Sequence, residues 1–327
     1  MALTIRYLIP LVIIAAILGY ALWPPTTPHI PITHKPLWEV RSIDTMKFSR
    51  DLAREKLNDP SFDQVIDLQV SNIAAAGATH VAIATPYDPE FVPILTRWVK
   101  SARAHGLHVW FRGNLAGWEG WFDYSKISPV AHTTAITDFI RSNGALFESG
   151  DIFTSCPECE NGGPGDPRQT GRLDEFRTFL IDENKAVATA FRAINKNVSI
   201  NYPSSNYDVA KLVMDKPTTE ALGGVVGIDH YVKDPGELES DINALAQSSG
   251  GKIFVSEIGA PIPDVHGTMT PSEQAAWLDS ILGHLQNLPV VLGVNYWVSE
   301  GGSTAIWNNG VATPAVAVLS RYFHYLQ

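Results

Sequence analysis

The stretch Ile43-Asp44-Thr45-Met46-Lys47 begins where the first predicted strand, Glu39–Ile43, ends, and it contains no glycine. A doubly wound open sheet usually carries a Gly-rich phosphate-binding loop after its first strand. We therefore expect the parallel sheet of this protein to close into a barrel rather than bind a nucleotide at an open edge.

Short apolar segments alternate with amphipathic helical segments along the rest of the chain. Several helical segments end in glycine just before the next strand, as in Ala76-Gly77 and His105-Gly106, which is a common stop signal for a helix. Eight such strands are the number that closes a barrel, so the predicted fold class is α/β, a (β/α)8 TIM barrel. The predicted strands are Glu39–Ile43, His80–Ala84, His108–Phe111, Asp151–Ser155, Val198–Asn201, Val225–Asp229, Ile253–Val255 and Val290–Tyr296. The predicted helices are Asp63–Ala76, Glu90–His105, Ser128–Asn143, Leu173–Asn195, Val209–Met214, Pro235–Ser248, Pro271–Gln286 and Ala315–Leu326.

An apolar segment precedes the predicted barrel. Residues Tyr7 to Trp23 carry no charge and follow Arg6, and their number is at the lower limit for a transmembrane helix. An uncleaved signal anchor, a cleaved signal peptide and a buried helix all remain open, although Leu22-Trp23-Pro24 is a poor cleavage site. The predicted domains are a signal anchor or signal peptide (1–24), a Pro-rich linker (25–36) and a barrel catalytic domain (37–327).

The positive charge ahead of the apolar segment predicts an exported protein. It would be anchored in the membrane at the cell surface through the N-terminal helix, or be periplasmic or secreted. The 327 residues include 24 Lys and Arg against 34 Asp and Glu, a net charge of −10, which argues against a nucleic-acid partner. The mean hydropathy is near zero, slightly high for a soluble enzyme, and the apolar N-terminal segment is the main reason for this value. We expect a monomer.

The two cysteines lie close together in Cys156-Pro157-Glu158-Cys159. No second Cys-x-x-Cys and no His pair is placed to complete a four-ligand zinc site, so no metal is expected. A local disulfide is the simplest interpretation, and it suits export.

In a (β/α)8 barrel, active-site residues lie at the carboxyl ends of the strands and on the loops that follow. The residues that this rule selects are carboxylates, amides and aromatic rings, which together suit the binding of a carbohydrate. Paired carboxylates can cleave a glycosidic bond without a cofactor. The sequence shows no Ser or Cys catalytic triad. The candidates are Asp44, Lys47, Arg112, Asn114, Trp118, Glu119, Trp121, Glu158, Glu160, Asn201, Tyr202, Asn206, Asp229, His230, Tyr231, Glu257, Asn295 and Trp297.

Strands four and seven offer the best carboxylate pair. Lys252-Ile253-Phe254-Val255-Ser256-Glu257-Ile258-Gly259 places Glu257 at the end of a strand, and Asp151 through Glu158 does the same. Here the chain resembles glycoside hydrolase clan A, the retaining (β/α)8 glycosidases. His230-Tyr231 is similar to the strand-six motif of family 5 cellulases and mannanases, and Asn295-Tyr296-Trp297 to the strand-eight motif of the clan.

The resemblance implies a role for each of these residues. Glu257 would be the nucleophile and Glu158 the acid/base of a retaining hydrolase that cleaves β-glycosidic bonds of a β-glucan or β-mannan. Tyr231 would orient Glu257, and Trp297 would stack under the sugar. His230, Asp44, Lys47 and Asn295 would contact the substrate or neighbouring carboxylates.

The chain departs from the clan pattern at two positions. Pro157 stands where the clan usually has Asn before the acid/base, which leaves Glu160 open as the acid. The missing amide would be replaced by Asn114, Asn161 or Asn201, with Tyr202 beside Asn201. The clan's strand-two arginine is also absent, and Arg112 after strand three is the candidate replacement.

Two further questions stay open at this level. Trp118 and Trp121 are either sugar platforms or loop packing. The function is either hydrolysis, sugar binding by an inactive barrel, or transglycosylation in the cell envelope.

Overall fold

The computed structural model describes residues 37–325. Within that range, no helix is both long enough and apolar enough to cross a membrane. The predicted signal anchor or signal peptide and the Pro-rich linker lie outside the described residues.

The barrel wall is a sheet of eight parallel strands in the order β4-β3-β2-β1-β8-β7-β6-β5. Strands β4 and β5 stand at the two ends of that order. A parallel bridge between Ile152 and Ser199 links β4 to the segment just before β5, with the Phe153 N–H donating to the Ser199 carbonyl at 2.8 Å. The sheet thus curls round into a TIM-barrel-like α/β fold. The strands are β1 Val40–Asp44, β2 His80–Ile83, β3 His108–Phe111, β4 Ile152–Phe153, β5 Ser204–Asn206, β6 Val225–Asp229, β7 Lys252–Ile258 and β8 Val291–Tyr296.

Helices connect successive strands, and many start at a proline that follows a side-chain cap. Thr270 forms a reciprocal capping box with Glu273, and Asp234 accepts the N–H groups of the first turn of its helix. The α-helices are Met46–Ser49, Phe62–Ala75, Val92–Ala104, Ala116–Glu119, Pro129–Ser142, Pro167–Thr170, Leu173–Ala193, Tyr207–Val213, Lys216–Ala221, Pro235–Ser249, Pro263–His266, Pro271–Leu285 and Pro314–Phe323. Short 3-10 turns lie at Pro89–Phe91, Trp121–Asp123, Gly144–Leu146 and Cys159–Asn161.

The core has two parts. A large apolar cluster fills the space between the sheet and the surrounding helices. A smaller cluster fills the barrel interior, where Trp110 meets Phe254 edge-on at 5.0 Å and Tyr202 meets Phe254 at 5.2 Å. The interior is therefore packed, and the chemistry is confined to the rim.

The predicted position of strand five is wrong. The ladder with β6 begins at Ser204 instead of Val198, because the apolar residues Val198 and Ile200 lie where the chain passes β4. Pro203, which has no N–H to donate, precedes the ladder, and its carbonyl lies against Gly227, where a Cβ would come within 1.7 Å. A polar Ser-Ser-Asn segment forms the strand, so no apolar pattern marked it.

A small antiparallel hairpin after β8 was not predicted. Its strands are β9 Trp307–Asn308 and β10 Val311–Ala312, and Asn309-Gly310 forms the turn with φ of 48° and 76°. An Asn-Gly pair with both φ values positive is the strongest short-range hairpin signal.

Candidate active site

The rim at the carboxyl ends of the strands gathers one cation and several carboxylates. The Arg112 guanidinium, which follows β3 and is 3% exposed, is the centre of the cluster. Its Nη1 lies 2.8 Å from Asp44 and 2.5 Å from Glu257, and its Nη2 lies 3.1 Å from Asp229. These three carboxylates raise the pKa of Arg112 well above its usual value against the opposing effect of burial. One fixed positive charge therefore positions carboxylates from β1, β6 and β7.

Glu257 reaches the rim because β7 contains a bulge. Ile228 pairs with Val255 but Asp229 pairs with Glu257, so Ser256 is an extra residue in the ladder. The bulge lets two consecutive side chains serve the rim: the Ser256 hydroxyl donates to Asp229 at 2.6 Å, and Glu257 bonds Arg112. The Tyr231 hydroxyl donates to the second oxygen of Glu257 at 2.5 Å. Glu257 is thus buried with both oxygens bonded.

Glu158 lies on the loop after β4 in a left-handed backbone conformation with φ of 45°. A disulfide between Cys156 and Cys159 closes the loop around it, and its N–H donates to the Ser204 carbonyl at 2.9 Å. Its carboxyl oxygens accept from Asn206 Nδ2 at 3.1 Å and Asn161 Nδ2 at 3.3 Å. Such backbone strain in a non-glycine residue is typical of functional sites.

The protonation of Glu158 follows from its neighbours. Burial and then the negative charge of Glu257 raise its pKa to about 7, while Arg112 acts in the opposite direction. A carboxyl group with this pKa is substantially protonated near neutral pH, as a general acid must be.

Glu160, the alternative acid, has a different environment. It is buried, and one of its oxygens accepts both the backbone N–H and the side-chain Nδ2 of Asn206 at 2.9 Å. Burial raises its pKa. Glu160 therefore holds Asn206, which in turn contacts Glu158.

Asp229 and Asp44 are buried, and both contact Arg112. Asp229 accepts hydroxyl bonds from Ser204 and Ser256 besides its bond to Arg112. Burial and the charge of Glu257 raise the pKa of Asp229 well above its usual value. Burial raises the pKa of Asp44 to about 6 despite Arg112.

Aromatic and basic side chains border the rim beside Glu257. The half-buried Trp297 ring meets Tyr231 edge-on at 6.1 Å, and its Nε1 donates to the Met46 sulfur at 3.0 Å. Lys47 Nζ lies 5.8 Å from the centre of the same ring. His230 faces away from this group, because it stacks on Tyr207 at 4.1 Å and bonds Asp241 at 2.8 Å.

Several sequence candidates are occupied by packing or internal hydrogen bonds. Trp118 is fully buried and stacks on Phe179 at 5.4 Å, so it offers no face to a sugar. The Asn114 amide oxygen accepts from Leu115 N–H at 2.8 Å and contacts His132 Nε2 at 2.7 Å.

Tyr202 packs inside the barrel and Asn201 precedes β5, both a consequence of the shifted strand. Asn295 is buried and donates to the Ser256 carbonyl at 2.9 Å. Trp121 is half-buried, and the Arg50 guanidinium lies 4.8 Å from its ring centre.

Two residues matter more than the sequence indicated. Asn206 bridges Glu158 and Glu160, and Asp229 bonds Arg112 and two serines. Both stand at the last position of their strands; the end of β6 at Asp229 was predicted correctly, whereas the misplaced strand five obscured Asn206. Glu119, interpreted as a candidate without a role, has a pKa raised to about 7 chiefly by burial.

One group among the described residues has metal-ligand geometry: His132, Cys156 and Glu183. The Cys156 sulfur is used in the disulfide, and His132 Nδ1 is already 2.8 Å from Glu183. The group therefore fits a buried hydrogen-bond network better than a metal site.

No protein-family model matches the chain, and no curated protein matches its sequence. Solved structures of glycoside hydrolases match its fold. A GH5_18 protein from Streptomyces cattleya in complex with GlcNAc matches with a TM-score of 0.63 and 14% identity, over 89% of this chain and 80% of the other. A variant of GH5_18 from Bifidobacterium longum in complex with Manβ1-4GlcNAc matches with a TM-score of 0.59 and 15% identity, over 87% and 78%. A β-glycosidase matches with a TM-score of 0.59 and 12% identity, over 87% and 95%.

These neighbours share one architecture with the chain. The protein resembles the glycoside hydrolases of clan A in fold, as the short motifs on strands four, six, seven and eight predicted.

Proposed function

We propose that the protein is a retaining glycoside hydrolase that cleaves β-glycosidic bonds of a glucan- or mannan-type saccharide. Glu257 acts as nucleophile and Glu158 as acid/base. The observation that carries the proposal is the contrast between the two carboxyl groups. Glu257 bonds an arginine and a tyrosine, whereas Glu158 is buried beside that negative charge with a pKa of about 7. Such a division of roles is what double-displacement glycosidases require.

In the first step, Glu158 donates its proton to the glycosidic oxygen while a Glu257 oxygen attacks the anomeric carbon. The C–O bond to the leaving sugar breaks, and a glycosyl ester forms on Glu257. Tyr231 and Arg112 hold Glu257 in one orientation, which lowers the cost of reaching attack geometry.

In the second step, Glu158 is the base. Esterification removes the negative charge of Glu257, which is one of the two main causes of the raised pKa of Glu158. Glu158 then becomes a stronger acid and exists as a carboxylate. It takes a proton from water, and the water oxygen displaces Glu257 from the anomeric carbon.

The proposed substrate class is based on the ligands of the similar solved structures and on the aromatic side chain at the rim. The GH5_18 structures contain GlcNAc or Manβ1-4GlcNAc, which supports testing β-mannosides first. Trp297, with Lys47 on one side, supplies a ring of the kind that stacks on a pyranose. No cofactor takes part, because two carboxyl groups complete both steps.

We also propose that the protein works outside the cytoplasm, tethered by the segment around Tyr7–Trp23 or released from it. The disulfide beside Glu158 supports this location, because disulfides persist in oxidising compartments.

The test uses aryl β-glycosides with wild type, Glu257→Gly and Glu158→Gly. Glycine adopts a φ of 45° without strain, so the second change spares the loop backbone. We expect each variant to lose about 10³-fold in turnover or more. Azide should restore turnover, with an α-glycosyl azide from Glu257→Gly and a β-glycosyl azide from Glu158→Gly.

A matched variant, Glu160→Gly, separates the two possible acids. If azide restores turnover in Glu160→Gly but not in Glu158→Gly, then Glu160 is the acid/base. Binding without turnover on any saccharide would mean an inactive sugar-binding barrel, and transfer products without hydrolysis would mean a transglycosylase.

A further inference from the structure

A buried polar network lies beside the loop that carries Glu158. It contains His132 and Glu183, which stand on two helices that pack against each other, and Asn114, which follows β3. His132 Nδ1 lies 2.8 Å from Glu183 Oε2, and His132 Nε2 lies 2.7 Å from the Asn114 amide oxygen. All three side chains are buried, so the network is shielded from solvent.

The backbone fixes the direction of these bonds. Asn114 Oδ1 accepts the Leu115 N–H at 2.8 Å, so it is the oxygen of the amide, and His132 Nε2 must donate to it. Glu183 Oε2 also accepts the Thr133 hydroxyl at 3.1 Å. One proton then lies between His132 Nδ1 and Glu183, and the imidazole ring is held from both sides.

The network reaches the loop through one contact at each cysteine of the disulfide. Asn114 Nδ2 faces the Cys156 sulfur at 3.9 Å. The Trp118 ring contacts the His132 ring with centroids 4.3 Å apart, and its Nε1 donates to the Cys159 carbonyl at 3.3 Å. The proposed acid stands between the two cysteines, so the network holds both sides of its short turn.

The Trp118 ring also supports the rest of the loop. Gly162 and Gly163 lie so close to the ring that a Cβ on Gly163 would come within 1.9 Å of it. Phe179 stacks on the same ring at 5.4 Å. The segment after the disulfide therefore rests on one indole ring, which His132 and Phe179 keep in place.

Stability alone does not explain a carboxylate at position 183. Glu183 Oε1 is buried and has no hydrogen-bond partner among the residues that the structure describes. An unpaired buried oxygen destabilises a fold, and an apolar side chain of the same length would avoid that cost. The carboxylate is therefore explained by what its other oxygen holds, which is the His132 ring.

We propose that Glu183 is a positioning residue that acts through His132. Together they hold the loop after β4 so that the Glu158 carboxyl group meets the glycosidic oxygen. The proposal rests on the proposed function and deepens it, because proton transfer requires the acid to be held within hydrogen-bond reach of that oxygen. Neither Glu183 nor His132 is itself catalytic, because both are buried within the network.

The test compares kcat/KM for a phenyl and a 2,4-dinitrophenyl β-glycoside in Glu183→Met, which removes the carboxylate at about the same side-chain length. The phenyl group leaves only with the proton of Glu158, whereas the dinitrophenyl group needs none. We expect about a tenfold loss with the phenyl substrate and less than about a twofold change with the other. Asp182→Met, an exposed neighbour on the same helix, is the matched control and should behave as wild type.

Two further variants test the route of the effect. Glu183→Gln carries an amide that can donate to His132 Nδ1, so it should keep most of the wild-type activity. His132→Leu should lose about tenfold with the phenyl substrate, and its combination with Glu183→Met should lose no more. An equal loss with both substrates, a loss in Glu183→Gln as large as in Glu183→Met, or single losses that multiply would overturn the proposal.

Amide hydrogen exchange provides a readout that needs no turnover. In Glu183→Met we expect faster exchange in residues 156–163 and wild-type exchange in β1 and β8. Unchanged exchange in residues 156–163, or faster exchange throughout the barrel, would overturn the positioning role. If wild type turns over no glycoside, the proposed function fails, and exchange that rises only in residues 156–163 still supports Glu183 as the residue that holds this loop. If Glu183→Met does not fold, Thr133→Val, which removes another bond to the same carboxylate, replaces it with the same expected pattern.

Discussion

Glu158 combines burial with a charged neighbour, and its titration sets the pH range of the proposed reaction. With a pKa of about 7, the group is protonated below that pH and loses its proton above it. We expect kcat/KM for a phenyl β-glycoside to fall about tenfold per pH unit above about pH 7. A 2,4-dinitrophenyl glycoside needs no protonation of its leaving group, so its profile should remain flat through the same range. A basic limb of equal depth with both substrates would assign that limb to another group.

Arg112 holds three buried carboxylates at once, which only a guanidinium can do. We expect Arg112→Lys to lower kcat/KM about 10²-fold, because an ammonium cannot bond Asp44, Asp229 and Glu257 in the same geometry. Arg112→Met leaves the carboxylates without a counter-charge and should cost about 3–5 kcal/mol in the free energy of unfolding.

Kinetics with thermal and urea unfolding provide the measurements for both arginine variants. The control is Arg141→Lys, an exposed residue with a single ion-pair contact to Asp138, which should change neither quantity. Wild-type kinetics in Arg112→Lys would show that Tyr231 alone suffices to orient Glu257.

At the scale of elements, apolar patterning located the strands that carry apolar residues and missed the one that does not. β3 and β6 lie at the predicted residues, since every side chain in them except His108 is buried. β5 consists of Ser204, Ser205 and Asn206 and is held by its neighbours, so the pattern pointed to Val198–Asn201 instead. Because of this error, Asn201 and Tyr202 were predicted to lie at the rim, and the role of Asn206 was not recognised.

The bulge in β7 illustrates a second limit of sequence reasoning. Strict alternation would send Ser256 and Glu257 to opposite faces, and only the ladder register shows that both serve the rim. Glu257 was selected as the residue at the end of its strand, and its role as nucleophile came from the resemblance to known glycosidases. Sequence periodicity could not predict the Arg112 cluster either, because the cluster depends on contacts between residues that are far apart in the sequence, on or after β1, β3, β6 and β7.

The loop after β4 is closed by a disulfide between cysteines three positions apart in the sequence. So short a loop restrains the unfolded chain little, and its contribution to stability is about 2 kcal/mol or less. Its larger effect should be to keep Glu158 in its left-handed conformation. We expect Cys156→Ser combined with Cys159→Ser to lower kcat about tenfold or more with a small change in Tm.

Wild type treated with dithiothreitol should show the same loss as the double cysteine variant. Unchanged kcat in both would mean that the bonds of Asn161 and Asn206 hold Glu158 without the disulfide.

At the scale of the whole molecule, the raised pKa values of the rim make the stability of the fold depend on pH. The pKa values of Glu119 and Glu158 are each about 7, against 4.5 for a free glutamate, chiefly because of burial. The folded protein therefore binds more protons than the unfolded chain between these values. The stability contribution of each group is complete below 4.5 and is lost as the pH rises through 7. Burial lowers the pKa of His80 to about 4, so His80 makes the free energy of unfolding rise with pH between about 4 and 6.5. Above its free value of 6.5 it no longer changes the stability with pH.

We therefore expect the free energy of unfolding, from urea titrations, to fall from about pH 4.5 to about pH 7, most steeply above about pH 6.5 where His80 no longer opposes the fall, and to level off by about pH 8. Glu119→Gln removes one of the groups with a raised pKa and should reduce that slope, whereas Glu220→Gln, an exposed glutamate on helix Lys216–Ala221, should leave it unchanged. A flat wild-type profile would mean that the folded protein holds neither carboxyl protonated. The acid role of Glu158 would then have to arise only once substrate excludes water from the rim.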